Sequence, residues 1–327
     1  MFLLALACHR VPFVLRGGTC SIYELEHVSE MWRQGVGESV RMEQGRVVVV
    51  TGASRGAGRG IALALGATGA TVYVTGRTEN DGDSALPGSV NSTAAEVSAR
   101  GGVGVPVVLD HADDRAVAAL FERVGDENGG CLDILVNNAL TLPDALTTKG
   151  PFWSKPLSLT DLFDLGMRST YVASYYAAPL LVHRGSGLIV NTSSFGGACY
   201  MHGPAYGAGK AAVDKLAHDM AVDFRPHDVA VISLWMGLLL TERTRAAFAD
   251  HPDAYAGLAA NAESPEFVGR VIAALADDPD RMSRSGRVLI AAELAAEYGV
   301  VDTDGRQPPS HRAMLGDPPT FSPAVID

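Results

Sequence analysis

The chain is poor in cysteine: four in 327 residues, at Cys8, Cys20, Cys131 and Cys199. None forms a C-x-x-C pair and none joins a histidine cluster. That excludes the common zinc spacings and a disulfide framework, and it fits a reducing compartment such as the cytoplasm. Positive charge is also scarce. Against 37 Asp and Glu stand 26 Lys and Arg, a net charge of −11. No basic stripe is left for a phosphate backbone, so nucleic acid is not an expected partner. No apolar run is long enough to span a bilayer. The nine histidines show no metal-ligand spacing, and no metal is expected.

What is present is Ala, Gly and Val, arranged in short blocks. From residue 46 onward, apolar runs alternate with helical segments: RVVVVT, TVYVTG, VPVVLD, LDILVNNA, GLIVNTSS, VAVISLW and GRVLIAA. The runs are almost continuously apolar rather than alternating, as strands buried on both faces should be. Strands that alternate with helices predict an α/β fold: one doubly wound Rossmann-type domain with a seven-stranded parallel sheet and helices on both faces. Its expected span is 45–305. A helix at DRAVAALFERV should be opened by Asp113 or Asp114, and a long helical region should run from about Leu157 to His183. Residues 1–44 read as an extension, irregular or produced by an early start codon, with Met42 a natural start. A signal peptide is opposed by the missing basic n-region and cleavage site. The proline-rich tail, 306–327, reads as irregular.

The stretch TGASRGAGRG, 51–60, follows the first strand and opens a helix. Ligands of such sheets bind beyond the carboxyl ends of the strands, at the switch in strand order. Gly52, Gly56 and Gly58 allow backbone to approach a pyrophosphate, and the helix offers its N-terminal amides. The end of the second strand bears on which dinucleotide is held. An acid there grips the ribose 2′-hydroxyl of NAD(H). Here Gly76 takes that place and Arg77 follows, leaving room and a forked cation for the extra phosphate of NADP(H). Arg55 can reach the same region, whereas Arg59 reads as solvent-facing.

A second constellation lies at YGAGK, 206–210. Positions i and i+4 share a helix face, so Tyr206 and Lys210 sit side by side. A neighbouring ammonium should bring the tyrosine down from its usual pKa of roughly 10. The phenol can then exchange a proton with a carbonyl or an alcohol. Upstream, a strand ends in Ser193-Ser194, and a hydroxyl there can hold the substrate oxygen.

With these pieces in place the sequence resembles the short-chain dehydrogenases/reductases. The resemblance rests on TGASRGAG at 51–58, LD at 109–110, NNA at 137–139, the serine pair, YGAGK and G-x-x-x-T at 237–241, and it covers 45–305. One branch is closer still in GRGIALALGATGATVYVTGR, SSFGG and LAAEYGVVDTDGR. Proteins of that branch are regarded as NADPH-linked reductases of carbonyls on steroids and other lipophilic compounds. The resemblance implies Tyr206 as acid–base, Lys210 as its partner and a ligand of the nicotinamide ribose, and Ser194 as the group that positions the carbonyl, with Ser193 a rival. It implies a dinucleotide site of Gly52, Ser54, Arg55, Gly56, Gly58, Arg77, Asp110 with the backbone at His111, Asn137, Ala139, Tyr206, Lys210, Gly237 and Thr241. It also implies a homodimer or homotetramer.

Three departures from the family pattern stand out. Leu140 replaces a glycine after NNA. Met236-Gly237 replaces Pro-Gly. The helix asparagine of the proton relay is missing, its slot falling near Gly166 with Asp164 close by. The substrate lid should span about 238–263. Leu140, Trp153, Tyr200, Met201 and Phe248, with Tyr255 and Leu258, are the candidate pocket residues for a small lipophilic carbonyl or alcohol. Two other readings stay open: a dinucleotide-binding sensor or scaffold with little activity, and an NAD-dependent dehydrogenase.

Overall fold

The structure is a computed structural model and describes residues 45–250, 257 and 259–326. The elements run β1 (Val47–Val50), α1 (Gly56–Gly66), β2 (Thr71–Gly76), α2 (Val90–Ala99), β3 (Val103–Val108), α3 (Asp114–Glu127), β4 (Ile134–Asn137) and α4 (Ser169–Arg184). They continue with β5 (Gly187–Ser194), α5 (Pro204–Phe224), β6 (Val229–Met236), α6 (Glu242–Asp250), α7 (Pro265–Asp277), β7 (Val288–Ile290) and α8 (Ala291–Tyr298). The strands form one seven-stranded sheet in the order β3-β2-β1-β4-β5-β6-β7. Every neighbouring pair is parallel. The strand order reverses between β1 and β4, which places the ligand crevice at their carboxyl ends.

The near-continuous apolar strands have a simple cause. Successive side chains point to opposite faces, and both faces are covered. Val48 and Val50 join one core with α1, α2, α7 and α8. Val49, between them, joins a second core with α3, α4 and α5. β3 lies at the sheet edge, which explains how it tolerates Pro106 and leaves Val103 and Val108 exposed. Asp113, not Asp114, caps α3, accepting from the amides of Arg115 and Ala116.

The long helical region expected from about Leu157 to His183 is present but changes type along its length, starting as a 3₁₀ turn at Leu157–Thr160. Regular helix begins at Ser169. Before it, Phe163–Arg168 is a π-helical segment, broken at Leu165 (φ −99°, ψ 32°). The Thr170 hydroxyl donates to the Gly166 carbonyl at 2.7 Å, supplying a partner where the backbone ladder is interrupted. The tail has one helical turn, Arg312–Leu315, and is pinned down. Arg312 pairs with Glu293 and Asp317, and Phe321 packs on His218 at a ring distance of 5.0 Å.

Candidate active site

Backbone builds the first half of the site, at the ends of β1, β2 and β4. Gly52 turns the chain out of β1 with a positive φ of 66°. A side chain at Gly58 would place its Cβ 2.3 Å from the Gly52 carbonyl oxygen and 2.5 Å from Asn138 Nδ2, so nothing larger fits. Asn138 donates to the carbonyls of Thr51 and Gly52 at 3.0 and 3.1 Å. Thr51 Oγ1 in turn accepts from the amides of Asn138 and Ala139. Asn138 was inside the NNA motif but carried no assigned role; its effect is visible only once β1 and β4 lie side by side. Asn137 is buried, its amide donating to Ser174 Oγ and Asn191 Oδ1 at 3.0 and 2.9 Å, so its side chain braces the β4–β5–α4 junction.

The turn already carries an anion of the chain's own. The Gly56 amide, at the N-terminus of α1, donates to Glu242 Oε2 at 2.9 Å. Thr241, beside it, lies with its methyl 3.6 Å from the Cβ position of Gly56, and its hydroxyl accepts from the Thr244 amide, capping α6. A carboxylate placed against the first amides of α1 is the arrangement expected where a helix N-terminus faces negative charge. Glu242 gave no signal in the sequence, since only the packing of α6 against the turn brings it near.

Around β2 the charges are distributed unevenly. Arg55 is spent on the neighbouring loop, donating to Thr78 Oγ1, Pro87 O and Gly88 O at 3.0, 3.2 and 2.7 Å. Arg77 is 65% exposed and has one loose partner, Asp110, at 3.8 Å. Gly76 is closely packed, because a Cβ would lie 3.3 Å from Ser54. His111 is buried, with Nε2 2.7 Å from Thr75 Oγ1 and Nδ1 lacking a partner. Burial drops its pKa to about 4 against a smaller opposing pull from Asp110. Arg59 is not merely solvent-facing; it pairs with Glu96 of α2.

Side chains build the second half, at the ends of β5 and β6. Ser194 Oγ lies 3.0 Å from Tyr206 OH. Ser193 is fully buried and faces the other way, 3.4 Å from the Lys210 carbonyl, so Ser194 is the serine that meets the tyrosine. Lys210 is 8% exposed and donates to the Thr192 carbonyl at 3.0 Å. Its Nζ lies 5.9 Å from the centre of the Tyr206 ring. The expected fall in the Tyr206 pKa is not what this arrangement gives. Burial pushes the phenol up, the Ser194 hydrogen bond pulls it down, and Cys199 adds a small push upward. Desolvation is the largest influence on the phenol, and the Lys210 ammonium, 5.9 Å from the ring centre, donates to the Thr192 carbonyl rather than to the phenol.

Gly166 lies in this half, in a small recess lined by Leu140, Leu162, Tyr206, Gly209, Lys210 and Val213. Two of the family departures are linked here. A Cβ at Gly166 would come within 2.9 Å of Leu140 Cδ1, so Leu140 occupies the space a side chain at 166 would need. The third departure, at Met236-Gly237, meets a buried carboxylate. Glu263 accepts from the Gly237 amide at 3.1 Å, and burial raises its pKa to about 7.

The other pocket candidates scatter. Trp153 and Tyr200 are 76% and 80% exposed. Met201 packs with Cys199 against the Phe195–Trp235 cluster. Phe248 is partly buried on α6. Tyr255 and Leu258 lie outside the described residues. His202, which carries no motif signal in the sequence, stands edge-on to Tyr206 at a ring distance of 5.2 Å.

The short chain dehydrogenase family profile matches residues 46–252. The chain belongs to the short-chain dehydrogenases. Among its curated relatives is dehydrogenase/reductase SDR family member 1 of Mus musculus, 44% identical over 80% of this chain and 85% of that protein. The Homo sapiens protein of the same name is 43% identical over 80% and 84%. Among solved structures, a short-chain dehydrogenase from Mycobacterium thermoresistibile superposes with a TM-score of 0.67 at 26% identity, covering 80% of this chain and 89% of its own. Family members use a nicotinamide dinucleotide and act on small molecules. An anion-accepting glycine turn, an exposed Arg77 and the unpartnered His111 Nδ1 at the ends of β1–β3 fit such a group. No described helix is long and apolar enough to cross a membrane.

Proposed function

We propose that this short-chain dehydrogenase is an NADP(H)-dependent oxidoreductase acting on a carbonyl or alcohol of a small lipophilic substrate. The observation that carries the reaction is the 3.0 Å approach of Ser194 Oγ to Tyr206 OH, with Lys210 buried beside them. When bound, the nicotinamide supplies or accepts the hydride; the chain's own residues manage the oxygen and its proton. Ser194 holds the substrate oxygen, and Tyr206 gives that oxygen a proton in reduction or takes it in oxidation. Lys210 holds the nicotinamide ribose.

The preference for NADP(H) rests chiefly on Arg77. It is exposed, loosely paired and set after a glycine where an acid would repel a 2′-phosphate. Arg55 contributes less than its position in the turn suggests, because loop carbonyls occupy it. Lipophilic substrates are favoured by the exposed aromatics Phe152, Trp153 and Tyr200. They are also favoured by the name of a relative, hydroxysteroid dehydrogenase-like protein 2 of Danio rerio, 32% identical over 58% of this chain and 45% of that protein. A homo-oligomer is proposed through α4, where Tyr171 and Tyr175 are 53% and 61% exposed.

The test is a screen of ketones, aldehydes and alcohols with NADPH and NADH, paired with fluorescence titration of each cofactor. Turnover with NADPH on apolar carbonyls supports the proposal. Tighter NADH binding refutes the reading of Gly76 and Arg77. Tight NADPH binding without turnover of any substrate class favours the sensor.

A further inference from the structure

Beyond Lys210, on the same face of α5, lies a carboxylate that the proposed reaction does not use. Asp214 follows Lys210 by four residues and Tyr206 by eight, so the three fall in one row along the helix. Asp214 is fully buried, at 0% exposure. Ser233 Oγ donates to its Oδ1 at 2.6 Å, and Trp235 Nε1 lies 3.1 Å from both of its oxygens. Ser193 on β5 is a further hydroxyl beside it. A Cβ at Gly197 would come within 2.5 Å of Oδ2, so the turn after Ser194 also rests on this carboxyl.

Burying a carboxyl here is costly, and neutral donors offset only part of the cost. The nearby cation is Lys210. Burial lowers the Lys210 ammonium to about 8, and Asp214 opposes that fall. Burial raises Asp214, and Ser233, Ser193, Trp235 and Lys210 hold it down. Around the pair, β5, β6 and the 195–197 turn present only uncharged groups: Ser193, Ser233, Trp235 and Gly197. On α5 the other ionisable groups of this row are Tyr206 and His218, and His202 and Cys199 flank Tyr206 from the loop before the helix. Asp214 and Lys210 are each other's only charged influence resolved among the described residues.

We propose that Asp214 is a positioning residue for the reaction: it keeps Lys210 a cation beside Tyr206 and thereby sets the pH at which Tyr206 changes protonation state. The inference rests on Tyr206 being the acid–base, as proposed above. Without the carboxylate, Lys210 is a lone buried ammonium and sheds its proton near neutrality. Tyr206 then has no cation beside it, and its phenolate forms only at higher pH.

The experiment compares wild type, Asp214→Asn, which keeps the shape, and Ser233→Ala, which removes the shortest donor to Asp214. Two readouts are taken. One is the pH profile of alcohol oxidation. The other is the tyrosinate absorbance of Tyr206 in the cofactor-free protein, measured as the difference from Tyr206→Phe. The expected result is an upward shift of both by about one unit or more in Asp214→Asn. Oxidation kcat at neutral pH should fall about tenfold, with KM and NADPH affinity within about twofold of wild type. Ser233→Ala should shift both readouts the same way by less.

A uniform loss of rate at every pH, with the Tyr206 titration unmoved, overturns the proposal and leaves Asp214 a packing residue. If Asp214→Asn fails to fold, Ser233→Ala decides by the same readouts, and an unmoved titration there also overturns it. If wild type turns over no substrate, the cofactor-free Tyr206 titration still decides. Failure of the oxidoreductase reading and failure of this inference are therefore separate outcomes.

Discussion

The two halves of the sheet's carboxyl edge handle charge in opposite ways. At β1–β3, charge is kept at the surface: Arg77 and Asp110 are 65% and 44% exposed, and the turn presents backbone amides. At β5–β6, charge is buried: Lys210 is 8% exposed and Asp214 not at all. A surface designed to take up a charged ligand gains from cations that are solvated and free until it arrives. A proton relay gains from burial, because a low dielectric makes each ionisation depend on its neighbours. The difference predicts that substitutions on the first half change affinity, and those on the second change rate and its pH dependence.

The largest expected effect is on the buried half. Tyr206→Phe should cut turnover by roughly 10²- to 10⁴-fold, the usual worth of a positioned acid–base group. Cofactor affinity and Tm should stay close to wild type. Full activity in this variant would remove the distinction between the halves.

His111 is the exception on the exposed half, and it sharpens the comparison. Its folded pKa of about 4 lies below the ordinary value of 6.5. The unfolded chain therefore binds a proton that the folded chain refuses. Stability from this group is whole above pH ~6.5 and is lost as pH falls toward 4, by up to about 3 kcal/mol. Denaturant unfolding between pH 7 and 4 should show that loss in wild type and a flatter dependence in His111→Gln.

Arg77→Gln comes next. Loss of one charge-assisted contact should weaken NADPH by about 10- to 100-fold and leave NADH within about twofold. Equal weakening of both cofactors would mean Arg77 does not read the 2′-phosphate. The smallest effect is the coupling of Leu140 with Gly166. Gly166→Ala forces Leu140 to move and should cost about 1 kcal/mol; in a Leu140→Ala background that cost should nearly vanish. Additive unfolding energies would show the two departures to be independent.

Much of the fold was legible because strand and helix periods are local. RVVVV, TVYVTG and GLIVNTSS could be placed to within a residue or two, and their lack of alternation announced a sheet covered on both faces. The Leu157–His183 region was legible as helical, but its changes of helix type were not. Its π segment depends on Gly166 and Thr170 meeting across the break, a detail that apolar periodicity does not record. At the site, Tyr206 and Lys210 were readable because i and i+4 are fixed by helix geometry. Choosing between Ser193 and Ser194 was not, since adjacent strand residues face opposite ways and only the register of β5 decides which one meets α5.

By itself the sequence determined the α/β class, the anion-accepting turn at Gly52–Gly58 and the neighbourhood of Tyr206 and Lys210, each a matter of short-range geometry. Tertiary structure alone decided the rest. It set Glu242 on the Gly56 amide, tied Arg55 to a loop and left Arg77 exposed with one loose partner, Asp110. It filled the space beside Gly166 with Leu140 and enclosed Asp214 beneath Ser233 and Trp235. These contacts join residues far apart in the chain, and burial, which fixes the cost of a charge, is a property of the packed whole rather than of any local stretch.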